Sequence, residues 1–366
     1  MTLGAWRVRR RRRVVALLTV VVTAAVFLCP SRAAAQTRAE QWTAIAFDAL
    51  ARFRAGDDGR QRSNTYAWAL EAELRLNGDT PYARDLLNTL YGQRKPDGGW
   101  GLPFAYDVLG DGTVNDVDTT YTVTLAGHVG PPLLYAYQHG IDQVTAPDGT
   151  VWSIKAQIQR IVYLLATTPR IDNDQGACIA YSRNPNDQVS YGCIHNASAG
   201  AAAFLWQANA AGLGRGGLAA LVEGVTRREV YDYKPAGLVC GGVARSNWWL
   251  YAGTRSCNDA DHNSYDAESM YVLAPLIGQN TAWMHMTTAW ADNSNAPVAH
   301  FRLAALPGAP GRVDAASGLP IWCVLGDRWI SEAQAFLDTA TDLQRVTQVA
   351  QGAARVADNC RPPGAV

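Results

Sequence analysis

Several signatures are missing from this chain. It has no Gly-x-Ser-x-Gly, no His-Glu-x-x-His, no phosphate-binding glycine loop and no dinucleotide fingerprint. Serine hydrolase, zinc protease and nucleotide enzyme are therefore disfavoured. No Cys-x-x-Cys occurs, which argues against a zinc site held by closely spaced thiolates. Charge is scarce, at 17% of 366 residues against 48% hydrophobic, so there is ample material for a core. No run of Lys or Arg follows the first 35 residues, and those residues contain no Asp or Glu.

The N-terminal segment reads as an address. Arg7 and Arg9 to Arg13 make a basic region, Val14 to Leu28 an apolar one, and Ser31-Arg32-Ala33-Ala34-Ala35 offers small residues before Gln36. The pattern predicts a secretory signal over 1–35, too short for a comfortable membrane span, and a single domain over 36–366. The whole chain balances 32 basic against 32 acidic residues, but 1–35 hold seven Arg. The remainder stands at 25 minus 32, or −7, which disfavours nucleic acid and anionic membrane as partners. Six cysteines stay after Cys29 leaves: Cys178, Cys193, Cys240, Cys257, Cys323 and Cys360. An even number in an exported chain implies disulfides, and sequential pairing brackets one irregular stretch each time. The expected location is secreted, extracellular or periplasmic.

The rest reads as helix after helix. Apolar periodicity places helices over Gln41–Ala55, from Ser63 or Asn64 to about Leu76, and from Thr80 with Pro81 in its first turn. A further helix is expected from Thr119 to about His139, broken in two by Pro131-Pro132. Others follow over Ile154–Ala166, Asn196–Ala211, Leu218–Tyr231, Asp266–Leu276, Ala282–Ala291, Ala299–Ala305 and Ser331–Ala357. Short strand-like pieces fall at Ile179–Tyr181 and Ile321–Val324. The fold class is all-α, with helices in pairs joined by long loops.

The stretch Gln93–Gly130 carries the recognisable motifs. In QRKPDGGWG, Gln93, Gly98 and Trp100 fit a Gln closing one helix followed by a Gly-x-Trp turn. This resembles the QW motif of the terpenoid cyclases and protein prenyltransferases, in which the Gln caps a neighbouring helix end and the Trp packs on it. The resemblance implies an α/α toroid, a ring of stacked helical hairpins, here with long disulfide-pinned loops. Asp116-Val117-Asp118-Thr119-Thr120 is similar to the acidic motif with which class II terpene cyclases protonate an alkene, with Asp118 as donor. The usual third Asp is replaced by Thr119.

The same loop has a second reading. Counted from Asp107, the run DVLGDGTVNDVD puts Asp107, Asp111, Asn115 and Asp118 at positions 1, 5, 9 and 12 of an EF-hand-like loop, Gly112 at the sharp turn. It resembles the dockerin variant, and it makes calcium the expected cofactor, weakly bound because Leu109 stands at a ligand position. A third reading leaves Asp118 as the N-cap of the next helix.

Three long polar loops are candidate walls of a site: 104–121, 171–196 and 240–266. His195 and His262 stand near helix starts and are candidate general bases beside Asp116 and Asp118, with His128 a further histidine of the group. Trp248, Trp249 and Tyr251 form the densest aromatic cluster, with Trp152, Tyr181 and Tyr191 elsewhere; they read as core, as sugar platforms, or as walls for an apolar ligand. The leading expectation is a secreted toroid enzyme acting on a polysaccharide or glycan by hydrolysis or β-elimination. A terpenoid-cyclase-like protein for a small hydrophobic ligand and a non-catalytic extracellular binding domain are the alternatives.

Overall fold

The computed structural model describes residues 38–108, 110, 112–184, 187, 193–234, 237–240, 243–245, 248–251, 257–278 and 327–360. These are 62% helical and 9% strand, and the fold is mainly α. The expected signal at 1–35, the helices over Ala282–Ala291 and Ala299–Ala305 and the piece at Ile321–Val324 lie outside the described residues, as do Leu109, Asp111, Tyr191 and Cys323.

Helix α1 covers 38–56, α2 Ser63–Asn77, and α3 Pro81–Gly92. Thr80 caps α3 by accepting from the Ala83 amide, with Pro81 at the first helical position, as the sequence predicts. Neither Ser63 nor Asn64 caps α2; the N-cap is Arg62, without a side-chain bond. The helix expected from Thr119 begins only at residue 122. Nor do Pro131 and Pro132 break it. A π-helical segment, Thr124–Val129, runs straight into α4, Gly130–Gln138. Proline lacks an N–H and collides with the carbonyl four residues back in an α-helix. The wider π register, in which the Gly130 amide reaches Leu125 O, accommodates the prolines without a break.

A hairpin of β1, Gln143–Thr145, and β2, Val151–Ser153, leads into α5, Ile154–Thr167. A second, β3, Arg170–Asn173, with β4, Gly176–Ile179, leads toward α6, His195–Ala210. After α7, Leu218–Asp232, a third hairpin pairs β5, Leu238–Cys240, with β6, Val243–Arg245. Helix α8 is Ala260–Val272, starting six residues before the expected Asp266 because Asp259 accepts from the His262 amide as N-cap. A short α9, Ala274–Ile277, follows it. The C-terminal stretch is two helices, α10 Asp327–Thr339 and α11 Leu343–Cys360.

Two kinds of helix result. Helix α3 buries one stripe, Ala83, Leu86, Leu87 and Leu90, and α5 likewise buries one face. By contrast α2 is buried without interruption from Thr65 to Leu74, α11 from Val346 to Ala354, and α6 over most of its length. Small residues permit this: α6 contains AGAAA and α11 GAA, so neighbours approach closely. The enclosed helices touch in series. Helix α2 packs on α4 and on the π segment, those on α6, α6 on α8, and α11 on α2. Between α8 and α11, Arg345 binds Asp261 at 3.0 Å and Arg355 binds Glu268. No described helix is long and apolar enough to cross a membrane.

The QRKPDGGWG turn locks this frame. Gln93 Nε2 donates to Gln61 O at the entry to α2 (2.9 Å), and buried Trp100 Nε1 donates to Leu90 O at the end of α3 (2.7 Å). Gly101 is obligatory, since a Cβ there would lie 2.0 Å from Thr119 O.

Candidate functional site

Helices α2, α4, α6, α8 and α11, with the π segment, surround a cavity of about 360 Å³. Its wall carries a charge cluster. Glu71 on α2 receives both arms of Arg355 from α11, at 2.6 and 2.8 Å, and also Gln351 Nε2 (2.6 Å) and Arg75 Nε (2.9 Å). Arg355 also reaches Glu268, and Arg75 reaches Asp358 at 3.0 Å. Burial alone would raise the Glu71 pKa, but Arg355 and then Arg75 outweigh it and hold the carboxyl down at about 2. Glu71 is thus a fixed carboxylate. The Arg355 pKa moves up in response, the pull of Glu71 and Glu268 overcoming desolvation.

A second group lies at the same cavity. Tyr265 of α8 lies on its wall, and its hydroxyl shares a 3.3 Å hydrogen bond with His128 Nε2. His128 sits on the π segment, its ring edge-on to Trp68 of α2 at 5.0 Å. Asn196, at the start of α6, also lines the cavity, and its Oδ1 is buried with no hydrogen-bond partner. Tyr135, Tyr271 and Phe204 supply ring surfaces.

None of the four expected acid–base residues lines this cavity. His195 is fully buried and bonds Glu229 Oε2 through Nδ1 at 2.8 Å. Burial pulls its pKa down, but Glu229 and then Asp232 prevail, and the net direction is up. The Glu229 pKa also rises, burial being the largest cause. Asp266, expected to open a helix, is instead a buried mid-helix group, its pKa pushed well up by burial and then by the Glu229 charge. His262 is half-buried, bonds Asp259 Oδ2 at 2.7 Å and meets the Tyr251 ring edge-on.

Asp116 and Asp118 are exposed. Asp118 caps no helix: it sits in a turn in which Asp116 Oδ1 accepts the Asp118 amide at 2.9 Å and the Thr119 hydroxyl at 3.2 Å. Within the 107–118 loop, Asp107 Oδ2 accepts the Gly112 amide at 2.9 Å. Asn115 turns inward, donating to Asp187 Oδ2 at 2.8 Å and accepting from Asn184.

The aromatic expectations are corrected in part. Trp248 and Trp249 are fully buried, Trp249 donating to Glu229 O at 2.9 Å, and offer no face to a ligand. Trp152 is buried against Tyr91, the rings stacked 4.7 Å apart. Tyr181 and Tyr251 remain half-buried on one patch with Ile194, away from the cavity lining. Cys178 and Cys193 form the expected disulfide, with Cα atoms 5.5 Å apart. Cys257 and Cys360 are also disulfide-bonded; the pairings expected of them involve Cys240 and Cys323, whose side chains lie outside the described residues.

Sequence reasoning passed over Glu71, Glu268, Arg355 and Tyr265. The available signal was charge in the interior of apolar helices: Glu71 stands within WALEAEL and Arg355 within GAARVA. Comparison with family models, curated proteins and solved structures finds no match to this chain.

Proposed function

We propose that this protein is an exported α/α toroid whose central cavity binds an acidic polysaccharide and cleaves it by β-elimination. The enclosed helices α2, α4, α6, α8 and α11 touching in series, with α3 against α2, α5 against α4 and α7 against α6, support the toroid. One observation carries the chemistry, Tyr265 of the cavity wall with its hydroxyl hydrogen-bonded to buried His128. Elimination removes the proton on the carbon beside a sugar carboxylate, forms a carbon–carbon double bond, and expels the glycosidic oxygen, which must gain a proton. A tyrosine that exchanges a proton with a histidine suits both transfers. The unpartnered Asn196 Oδ1 and the ring surfaces of Tyr135 and Tyr271 supply polar and stacking contacts of the kind a sugar takes.

Hydrolysis by a carboxylate pair is less well supported. It needs one protonated carboxyl, whereas Glu71 is held ionised by Arg355, and Glu268 binds the same arginine. A cyclase reading meets a cavity wall rich in charge, and Asp118 lies in the exposed loop rather than in a closed funnel. Calcium at 107–118 stays part of the proposal as a loop-ordering ion outside the chemistry.

The test is incubation with uronate-containing and neutral polysaccharides, following ultraviolet absorbance of the new double bond. Tyr265→Phe is expected to cut turnover at least 100-fold with helical circular dichroism retained. Full activity of that variant would overturn the reading. New reducing ends without a double bond would replace elimination by hydrolysis, and saturable binding without cleavage would leave a binding domain.

A further inference from the structure

Behind the cavity wall lies a second cluster that the proposed chemistry does not use. Cys193, His195 and Glu229 place ligand atoms within 4.8 Å of one another, all three side chains fully buried. Cys178 joins them through its bond to Cys193. The chain brings them together from three elements: β4 carries Cys178, the entry to α6 carries Cys193 and His195, and α7, which packs on β4, carries Glu229. Two atoms here are under-satisfied. Glu229 Oε1 is buried with no hydrogen-bond partner, and His195 Nε2 has only Asp232 Oδ2, at 3.5 Å. A buried carboxylate oxygen without a donor is costly in a purely structural cluster.

We propose that Cys178, Cys193, His195 and Glu229 form a redox-gated zinc site, closed while the disulfide stands and created when it is reduced. Two thiolates, one imidazole and one carboxylate make a four-coordinate set of the type zinc prefers. Tetrahedral ligands at zinc bond lengths lie about 3.3–3.8 Å apart. The 4.8 Å spread covers Cys193, His195 and Glu229, with His195 Nδ1 and Glu229 Oε2 already 2.8 Å apart, so these three need only small adjustments, while Cys178 must swing in once its bond to Cys193 is cut. The conversion balances with an external dithiol as reductant. The dithiol gives two electrons and two protons to the Cys178–Cys193 bond and becomes a disulfide itself. Zinc then binds both sulfurs and releases those two protons. While oxidised, Cys193 has no thiolate to offer, so zinc meets only His195 and Glu229.

Zinc ion itself is the probe, on the full chain. The protein is reduced with a dithiol, exchanged into buffer with or without zinc, alkylated, and mapped by mass spectrometry. Zinc is expected to protect Cys178 and Cys193 selectively, at one zinc per chain, and cobalt(II) to give a thiolate charge-transfer band. Oxidised protein should show neither, and Glu229→Gln should weaken zinc at least tenfold. Absence of protection at these two cysteines, equal uptake by oxidised protein, or unchanged affinity in Glu229→Gln would each overturn the site. Should reduction alone lower the helical signal, stoichiometric zinc must restore it, and failure to do so counts equally against the proposal.

Discussion

Replacing Glu71 by Gln removes the charge at the centre of the cavity wall while keeping its shape. A carboxyl moved from its ordinary 4.5 to about 2 corresponds to roughly 3 kcal/mol of folding stability at neutral pH. The mutational cost should be of that size and not larger. Arg355 retains Glu268, and Arg75 retains Asp358, so neither cation is left without a carboxylate. The sign with pH follows from the depressed value. The contribution is fully present above the unfolded pKa near 4.5 and is lost as pH falls through the folded value near 2. Linkage gives roughly 1.4 kcal/mol remaining near pH 3 and less than about 0.5 near pH 2. Urea titrations of wild type and Glu71→Gln across this range would measure the gap. A gap below about 1 kcal/mol at neutral pH, or one that stays constant down to pH 2, would refute the assignment of Arg355 as the group that sets Glu71.

Two further outcomes are expected. Gly101→Ala must move backbone, because the added carbon would sit 2.0 Å from Thr119 O; a loss of at least about 2 kcal/mol in denaturant titration is expected, and a neutral result would mean that the Trp100 turn is pliable. Calcium in about 10 mM excess should raise the melting temperature if the 107–118 loop takes it, with weak affinity, and Asp107→Ala should abolish the rise. An unchanged wild-type melting curve would remove the ion.

Local signals survived folding well. The position and length of α3 were legible because Thr80, Pro81 and the leucine stripe at 86, 87 and 90 are near neighbours in sequence. The same holds for α5, where Ser153 caps and one face is apolar. Sequence reasoning misplaced the start of α8 because Asp266 looks like a cap. Asp259 has that role, and the tertiary structure buries Asp266 against Asn258. The charged wall was the least legible part: Glu71 and Arg355 stand 284 residues apart, and no periodicity links them. For the tryptophans at 248 and 249 the sequence left core, sugar platform and ligand wall open, and both rings fill core, because only the tertiary structure shows which loop aromatics turn inward.

The π winding before Pro131 has a geometric corollary. A π turn holds one residue more than an α turn, so Thr124–Val129 amounts to a one-residue insertion retained in the helix. Each residue of an α-helix advances the azimuth by about 100°. Deleting one residue upstream, such as Val123, would let the segment relax to an α register, were Pro131 also replaced. The helix would then be seamless, but His128 would be re-phased relative to Tyr265 and Trp68. The present winding in turn requires Gly130, because a Cβ there would lie 2.5 Å from Leu125 O and 2.6 Å from the Phe204 ring. Proline and glycine together act as a phase lock that sets the direction in which one histidine points.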